Sequence, residues 1–355
     1  MLLTALVLAS ALAPIQVPVH EGPGTSTADV QPAGEASPLS DYFKMGERLV
    51  GGEWHVDEHF FKKTLLRFHA VPGGGLGFYQ DTFDKEDLGK AQSELNVVFF
   101  DPSANLVRGI AIADRGAFFD STYTWQGDML IRRYQYHLTD GSMSKGELKE
   151  TTMELEGHLS FEGKSAYRWE LFQKTPSGMS PLIETSFHHQ DTFTDLPEQA
   201  PGPQEPSLSL EPLKALQTTK ASEAEWNWQA TWRVKGMALW TKRTLPHPQH
   251  GLLETAPKVL EVEGFYYWNP LDKGMRFLGF SQNGELVRGT TTAESDHKIE
   301  TTYTVEAPMA LDPASPAKLP TVGEQILILD GGDLHMRWVT FGADGKPVIT
   351  EADLN

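Results

Sequence analysis

One stretch, LIRRYQYHL, carries the side chains best suited to bind a ligand inside a mostly apolar interior. Read as a β-strand, it places Arg132, Tyr134 and Tyr136 on one face, because successive side chains alternate. If that face points inward, the arginine can bind a carboxylate and the phenol rings can contact the body of an acidic amphiphile. Asp120, from the preceding strand, is the fourth candidate ligand-binding residue. The alternative is that Arg132 pairs with an interior carboxylate such as Asp120 and the tyrosines fill the core.

A catalytic alternative uses the same side chains. Tyr134, Tyr136 and Asp120 would then perform acid-base chemistry on a small substrate. The chain contains neither G-x-S-x-G nor a phosphate-binding G-x-x-x-x-G-K-[ST]. We therefore assign no catalytic residue and expect binding rather than catalysis.

Histidines provide the only candidate metal ligands with a regular spacing. His55, Asp57 and His59 share one strand face, but it lies opposite Trp54 and is expected to face solvent. The neighbours His188 and His189 would point to opposite sides of a strand. We predict no metal site and no cofactor.

The composition excludes several partners. A net charge of −18 and a pI near 5.1 argue against binding nucleic acid or anionic lipid through a basic face. The absence of cysteine excludes disulfides, thiolate zinc sites and a cysteine nucleophile. A small-molecule ligand is the expected partner, and the sequence carries no signal for an oligomeric state.

The N-terminus resembles an export signal. MLLTALVLASALA, residues 1–13, is an apolar run too short to span a bilayer, and it ends in small residues. We predict a signal peptide and a secreted or periplasmic protein without an integral membrane span; the alternative is a disordered apolar tail. Residues 14–40 are rich in proline and predict a disordered leader.

From Trp54 onward the pattern has a period of two, typical of β-strands. A short helix is expected before the first strand, with its cap at Ser40. Roughly ten short strands separated by turns indicate an antiparallel up-and-down barrel or a strongly curled sheet. We predict an all-β protein with a first barrel over 41–195, a proline-rich linker over 196–223 and a second barrel over 224–355.

A sequence repeat supports two tandem copies. FFDP ends at Pro102 and YWNP at Pro270, and in each copy an arginine follows the Asp or Asn by seven residues, at Arg108 and Arg276. YRWEL and MRWVT recur at nearly the same distance downstream. Asp101 and Asn269 are expected to hydrogen-bond their own turns, and the two arginines to tie their strands to those turns.

The short helix followed by Gly52-Glu53-Trp54 resembles the G-x-W opening of lipocalin-like (calycin) barrels. RLVGGEW is similar to nitrobindin-type barrels and to bacterial domains of unknown function. The resemblance implies a tryptophan at one end of the barrel, with a late-strand arginine packed across it. Trp54 and Arg168 fit these roles, and Trp226 or Trp228 with Arg337 would be the second pair. A haem ligand of the nitrobindin type would need a buried histidine, for which the candidates are His188 and His189.

These features predict two tandem lipocalin-like barrels in an exported protein. The first barrel is expected to bind a small apolar or amphiphilic, possibly acidic, molecule without catalysis. A structural or partner-binding envelope protein with solid barrels is the remaining alternative.

Overall fold

The computed structural model describes most of the chain from Ser37 onward. The described residues are 37–56, 64–84, 93–114, 116–144, 147–192, 208–217, 221–223, 226–246, 258–295, 297–306, 321–330, 333–341 and 346–354. The predicted signal peptide, the leader up to residue 36, and the candidates Asp57 and His59 lie outside these residues. Among the described helices, none is long and apolar enough to cross a membrane.

An α-helix, α1 (Pro38–Leu49), precedes the first strand. It begins three residues earlier than predicted: the cap is Ser37, whose hydroxyl accepts a hydrogen bond from the Ser40 amide at 3.2 Å. A proline at the first helical position fits this start, since its missing N–H would be unpaired there. Tyr42, Met45 and Leu49 recur at helical spacing, and this buried stripe packs into the core of the first barrel.

The first ten strands form a closed antiparallel barrel in which each strand pairs with the next and the last pairs with the first. The strands are Glu53–Val56 (β1), Thr64–Ala70 (β2), Gly77–Asp84 (β3), Glu94–Asp101 (β4), Leu106–Ala113 (β5), Ala117–Gln126 (β6), Met129–Ser144 (β7), Glu147–Glu162 (β8), Ala166–Thr175 (β9) and Gly178–Gln190 (β10). Closure leaves no unpaired edge in this sheet.

Ten further strands form a second antiparallel meander, curled like part of a barrel. They are Ala221–Glu223 (β11), Trp226–Arg233 (β12), Ala238–Pro246 (β13), Val259–Asn269 (β14), Gly274–Ser281 (β15), Leu286–Ser295 (β16), Lys298–Glu306 (β17), Thr321–Asp330 (β18), Asp333–Phe341 (β19) and Pro347–Leu354 (β20). Over the described residues, β11 and β20 form no ladder with each other. The predicted all-β class, with two barrels or curled sheets after a short helix, is confirmed.

Part of the segment predicted as a linker contributes to the second core. Leu208–Gln217 is a 3-10 helix whose Leu210, Leu213 and Leu216 are fully buried against the second sheet. A spacing of three residues matches the 3-10 repeat, so the three side chains lie on one side. The Trp228 indole donates to the Leu216 carbonyl at 3.3 Å, just as the Trp54 indole donates to the Leu49 carbonyl at 3.2 Å.

The two sheets pack against each other through their outer faces. The third to sixth strands of each supply a shared apolar cluster: Val71, Tyr79, Leu95, Val97, Phe99, Ile110, Ile112 and Phe118 from the first half, and Val234, Ala238, Trp240, Phe265, Tyr267, Leu278, Phe280 and Leu286 from the second. Tyr79 meets the Trp240 ring edge-on at 4.7 Å, and Phe118 stacks on Tyr267 at 6.0 Å. Strands β4 to β6 are therefore buried on both faces.

A buried ion-pair network joins the two halves beside this cluster. The Arg288 Nη1 atom lies 2.8 Å from Asp101 Oδ2, and Arg108 Nη1 lies 3.4 Å from the same oxygen. The other Asp101 oxygen accepts from the Ser103 and Ala104 amides, each at 3.1 Å, which confirms its predicted turn role. Asn269 accepts similarly from the Leu271 amide at 3.0 Å. Asp101 is thus both a turn residue and a contact between the halves.

The chain itself contains asparagine at the equivalent turn of the second sheet, so Asp101→Asn should keep the turn and remove only the charge. We expect it to lower the free energy of unfolding by about 2 kcal/mol, because Arg108 and Arg288 lose a charged acceptor at a buried site. Urea unfolding measures the change. Asp120→Asn, which removes a half-exposed partner of Arg108, is the matched control and should cost less than about 1 kcal/mol.

The difference in the free energy of unfolding between the wild type and Asp101→Asn should depend on pH. Burial by itself raises the pKa of Asp101, but the Ser103 hydroxyl, the Arg288 and Arg108 charges and the Ala104 amide outweigh it and hold the pKa below its ordinary value. A lowered folded-state pKa contributes stability above the unfolded pKa of about 4, which is lost as the pH falls through the folded value. The wild type should therefore approach Asp101→Asn in stability below about pH 4. A difference that is constant down to pH 2 would contradict the role of the charge.

Candidate functional site

The first barrel encloses a cavity of about 80 Å³ beside α1. Its apolar lining is Met45, Leu49, Leu66, Phe68, Phe78, Val98, Leu130, Leu159, Tyr167, Trp169 and Phe187, and its polar lining is Gln80, Thr82, Glu94, Asn96, Tyr123 and Arg132. One water needs roughly 10–15 Å³ on this scale, so the cavity has room for about five to eight non-hydrogen atoms. A mostly apolar wall with a few converging polar groups is typical of a small-molecule site.

Arg132 lies on the wall of this cavity, on the inward face of β7 predicted from the sequence. Its Nε atom donates to the Ser121 hydroxyl at 3.0 Å. The guanidinium lies over the Tyr134 ring at 4.6 Å and the Tyr123 ring at 5.5 Å, which fixes its plane. Its Nη2 atom is buried and has no hydrogen-bond partner among the described residues. An unpaired donor of a permanent cation therefore remains beside the cavity.

The polar residues opposite Arg132 come from β3 and β4 and were not among the predicted site residues. Asn96 donates to the Gln80 side-chain oxygen at 3.2 Å, while its own Oδ1 atom is buried and has no partner in the described part of the chain. Glu94 is buried, and this burial raises its pKa, against the lowering effect of Arg132; the charge of Asp114 raises it further. The cavity thus combines a cation, a readily protonated carboxyl group and an amide oxygen.

The two predicted tyrosines lie beyond the cavity, in the filled part of the barrel with Phe119, Leu155 and Leu171. Tyr134 does not line the cavity, but it contacts Arg132, which does. Burial raises the pKa of Tyr136 to about 12, and burial likewise raises the pKa of Tyr134 above its ordinary value despite the nearby Arg132. Both phenols stay protonated at neutral pH. They can therefore donate hydrogen bonds but cannot act as bases.

Asp120 lies on the outer face of the barrel and not on the inward face assumed from the sequence. Its oxygens accept from Arg108 Nη2 at 3.0 and 3.1 Å on the outer face of β5 and β6. There it lines an open groove of about 740 Å³, together with charged side chains such as Arg133, Glu156 and Lys174. Asp120 is consequently excluded from the cavity site, and Arg132 does not pair with it.

The two late-strand arginines also point outward, contrary to the role implied for them. Arg168 pairs with Glu170 at 2.9 Å and Glu184 at 3.0 Å on the outer surface. Tyr167, one residue earlier, packs on Trp54 instead, with ring centroids 4.8 Å apart. The inward face of β9 therefore supplies an aromatic ring where the resemblance implied a guanidinium.

The second sheet repeats this arrangement. Arg337 faces Glu351 at 3.8 Å on the outside, while Met336 and Trp338 lie in the core. Trp228 is fully buried in the second core, and the side chain of Trp226 lies outside the described part. Arg276 ties its strand to the turn through Asp272 at 2.6 Å, as expected for a structural arginine.

The candidate histidines that the structure describes, His55, His188 and His189, do not line the cavity. His188 is exposed, whereas the His189 ring packs on Trp54 at 4.9 Å and its Nε2 atom is 2.8 Å from the Gly51 carbonyl oxygen. His55 is buried beside Glu53, with 3.2 Å between Nε2 and the carboxylate, rather than facing solvent. Within the described ranges, no group of three His, Asp or Glu side chains could hold a metal ion.

A closed antiparallel barrel, with a helix packed against its interior and a small, partly polar cavity, is consistent with a lipocalin-like barrel fold. No protein-family model matches the chain, and no curated protein matches it. The function is therefore inferred from the geometry of the cavity.

Proposed function

We propose that the first barrel binds a small amphiphilic acid, with its carboxylate on Arg132 and its apolar body against the aromatic and aliphatic wall, without catalysis. The observation that supports this most directly is the buried Nη2 atom of Arg132, which lacks a partner among the described residues at the edge of the cavity. A carboxylate would accept from it in a low-dielectric site, where an unpaired donor is costly. A hydroxyl group on the ligand would satisfy the Asn96 oxygen.

The size of the cavity restricts the ligand. With room for roughly five to eight non-hydrogen atoms, it accommodates acids from propanoate to hexanoate without expansion. Longer fatty acids would have to displace packed side chains such as Met45 and Leu49 from α1.

We further propose that the second sheet is a divergent copy of the first and that the protein is exported, as the N-terminal sequence predicts. Asp101 and Asn269 both end the fourth strand of their sheets, and Arg168 and Arg337 both lie on the ninth. Each sheet also uses its third to sixth strands in the interface. These matched positions are the pattern expected of duplication.

The raised pKa values of Tyr134 and Tyr136 argue against either phenol acting as a base near neutral pH, and Asp120, the carboxylate of the acid-base alternative, lies on the outer face beside Arg108. The alternative of a structural or partner-binding envelope protein would require solid barrels and a broad apolar patch on the protein surface. The large apolar face of the first barrel is already covered by the second sheet.

Titration calorimetry with matched ligands tests the proposal. We expect hexanoate to bind at least about tenfold more tightly than 1-hexanol, because a hydrogen bond to a charged group contributes roughly 1.5–3 kcal/mol. Dodecanoate should bind more weakly than hexanoate. Equal affinity for hexanoate and 1-hexanol, or no binding of either at millimolar concentration, would refute the proposed site. Native mass spectrometry of the protein from its own organism would identify the natural ligand by its mass.

Binding should weaken as the pH rises through the pKa of Glu94. The protonated carboxyl leaves Arg132 free for the ligand, whereas ionised Glu94 competes for the guanidinium and repels the ligand's carboxylate. Among the described residues, Arg132, Asp114 and Tyr134 are charged or titratable groups that couple to Glu94. We expect the affinity for hexanoate to fall about tenfold as Glu94 ionises. By linkage, bound hexanoate would then raise the pKa of Glu94 by about one unit.

Glu94→Gln should remove this pH dependence, because the amide cannot ionise. Glu154→Gln, on the outer surface beside Lys174, is the control and should retain it. A pH profile that is unchanged in Glu94→Gln would show that another group is responsible.

A further inference from the structure

The interior of the second sheet contains a buried cation that the first-barrel site does not use. Arg243 lies on the inward face of β13 between Leu239 and Leu245, and it is 2% exposed. No ion pair within 4.0 Å joins it to a carboxylate anywhere in the described ranges. Because arginine does not lose its proton in proteins, the charge persists in this apolar environment.

Several contacts hold the guanidinium in place. Its Nη1 atom donates short hydrogen bonds to the Tyr266 hydroxyl and to Gln325 Oε1. Its plane lies over the Phe277 ring at 4.0 Å. These contacts are all neutral, so they orient the cation but do not compensate its charge.

Other polar atoms of the second interior also lack partners. The Nε and Nη2 atoms of Arg243 and the hydroxyls of Thr241 and Tyr303 are buried, with no hydrogen-bond partner within the described part of the chain. Thr241 lies two residues before Arg243 and shares its inward face. The charge of Arg243 offsets part of the rise in the pKa of Tyr303 that burial causes, which places the phenol within electrostatic reach. Each of these atoms is a donor that is left unpaired inside the second sheet.

We propose that the second sheet binds a small monovalent anion, of the size of chloride or formate, on Arg243 with Tyr303 and Thr241 as further donors. A buried, uncompensated guanidinium destabilises the fold, and a bound anion removes much of that cost. Since the anion binds the folded state, it should stabilise the protein in proportion to the logarithm of its concentration once the site is saturated. The site is separate from the cavity at Arg132 and does not depend on the function proposed there.

Thermal unfolding at constant ionic strength tests this inference, with sodium chloride exchanged for sodium gluconate. We expect the wild-type Tm to rise by roughly 2–4 °C per tenfold increase in chloride above saturation. Arg133→Met should show the same rise, because Arg133 lies on the outer face of the first barrel and pairs with Glu156 there. Arg243→Met should show none. A rise that persists in Arg243→Met, or a wild-type Tm that is the same in both salts, would overturn the proposal.

Two further measurements keep the test decisive if Arg243→Met does not fold. Tyr303→Phe removes only one donor and should reduce the chloride dependence of Tm while preserving the fold. Crystals soaked in sodium bromide should give an anomalous peak beside Arg243, with formate competing for the same position. Bromide peaks confined to the surface would mean an adventitious ion only and would refute the site.

Discussion

Replacement of Arg132 by methionine should weaken the binding of hexanoate by roughly 100-fold or more. The substitution retains a long side chain against Tyr123 and Tyr134 but removes the guanidinium whose buried Nη2 has no partner among the described residues. Loss of a charged hydrogen bond at a water-poor site costs roughly 2–5 kcal/mol in binding, and 2.7 kcal/mol is a factor of 100. Titration calorimetry measures the change.

The neighbouring arginine gives a matched control. Arg133 lies on the opposite face of the same strand, where it pairs with Glu156 at 2.8 Å outside the barrel. Arg133→Met changes the net charge by the same amount as Arg132→Met, and we expect less than a twofold effect on hexanoate binding because surface pairs contribute little. Equal losses in the two variants would mean that the net charge, rather than the cavity, attracts the acid.

Arg132→Met should not act by unfolding the protein. The variant removes an unpaired buried donor, so the free energy of unfolding without ligand should stay within about 1 kcal/mol of the wild type or rise. Binding of 1-hexanol should also be preserved, because the apolar wall is unchanged. A large loss of stability would indicate that Arg132 has a structural role in the barrel.

The sequence predicted the inward face of β7 because the opposite face is exposed over the middle of the strand, at Arg133 and Gln135. Its pattern of alternation reflects a core and a solvent face, as in a simple antiparallel sheet. Arg133 and Gln135 are exposed, while Arg132 and Tyr134 point into the barrel. Here the amino-acid pattern was sufficient to place a functional side chain.

Alternation does not identify the inward face of β4 or β6, because the second sheet covers the outer faces of both strands. In β6 both Phe118 and Phe119 are buried, Phe118 against the second sheet and Phe119 inside the barrel. The alternation of apolar residues therefore does not show on which face Asp120 lies. In β4 the apolar set Leu95, Val97 and Phe99 forms the interface, and the polar set with Glu94 lines the cavity. A face that contains Glu94 and Asn96 reads as solvent-exposed until the packing of the two halves is known.

The arginines of β9 and β19 show a limit of assigning side-chain roles from the lipocalin-like resemblance. Their positions in the sequence matched the role implied by the lipocalin-like resemblance, but the inward faces belong to Tyr167 and Trp169 in one strand and to Met336 and Trp338 in the other. In YRWEL the alternating set Tyr167, Trp169 and Leu171 is apolar, whereas Arg168 shares its face with Glu170, so the period of two by itself favours an outward arginine. The resemblance was therefore a weaker guide to the face of the arginine than alternation along its own strand.

Substitution of Gly52 by alanine should be among the most destabilising single changes in the first barrel. Gly52 opens the G-x-W segment with φ +67°, a left-handed conformation that costs an alanine about 1–2 kcal/mol. A Cβ there would also lie 2.5 Å from the Gln190 carbonyl oxygen and 2.3 Å from His189 Nε2. The histidine ring could rotate away, but the β10 backbone cannot move without disturbing the ladder that closes the barrel. We expect a loss of roughly 3–5 kcal/mol in the free energy of unfolding.

Gly127 is the control that separates the steric clash from the cost of the backbone conformation. It has nearly the same φ, +62°, and nothing lies within 4 Å of its Cβ position. Gly127→Ala should therefore cost only the backbone conformation, about 1–2 kcal/mol, in the same urea titration. His189→Ala in the Gly52→Ala background should restore little stability, since the clash with the Gln190 carbonyl remains. Similar losses for Gly52→Ala and Gly127→Ala would show that the glycine supplies only a turn. A much larger loss for Gly52→Ala would mean that the glycine lets β10 approach closely enough to close the barrel around Trp54.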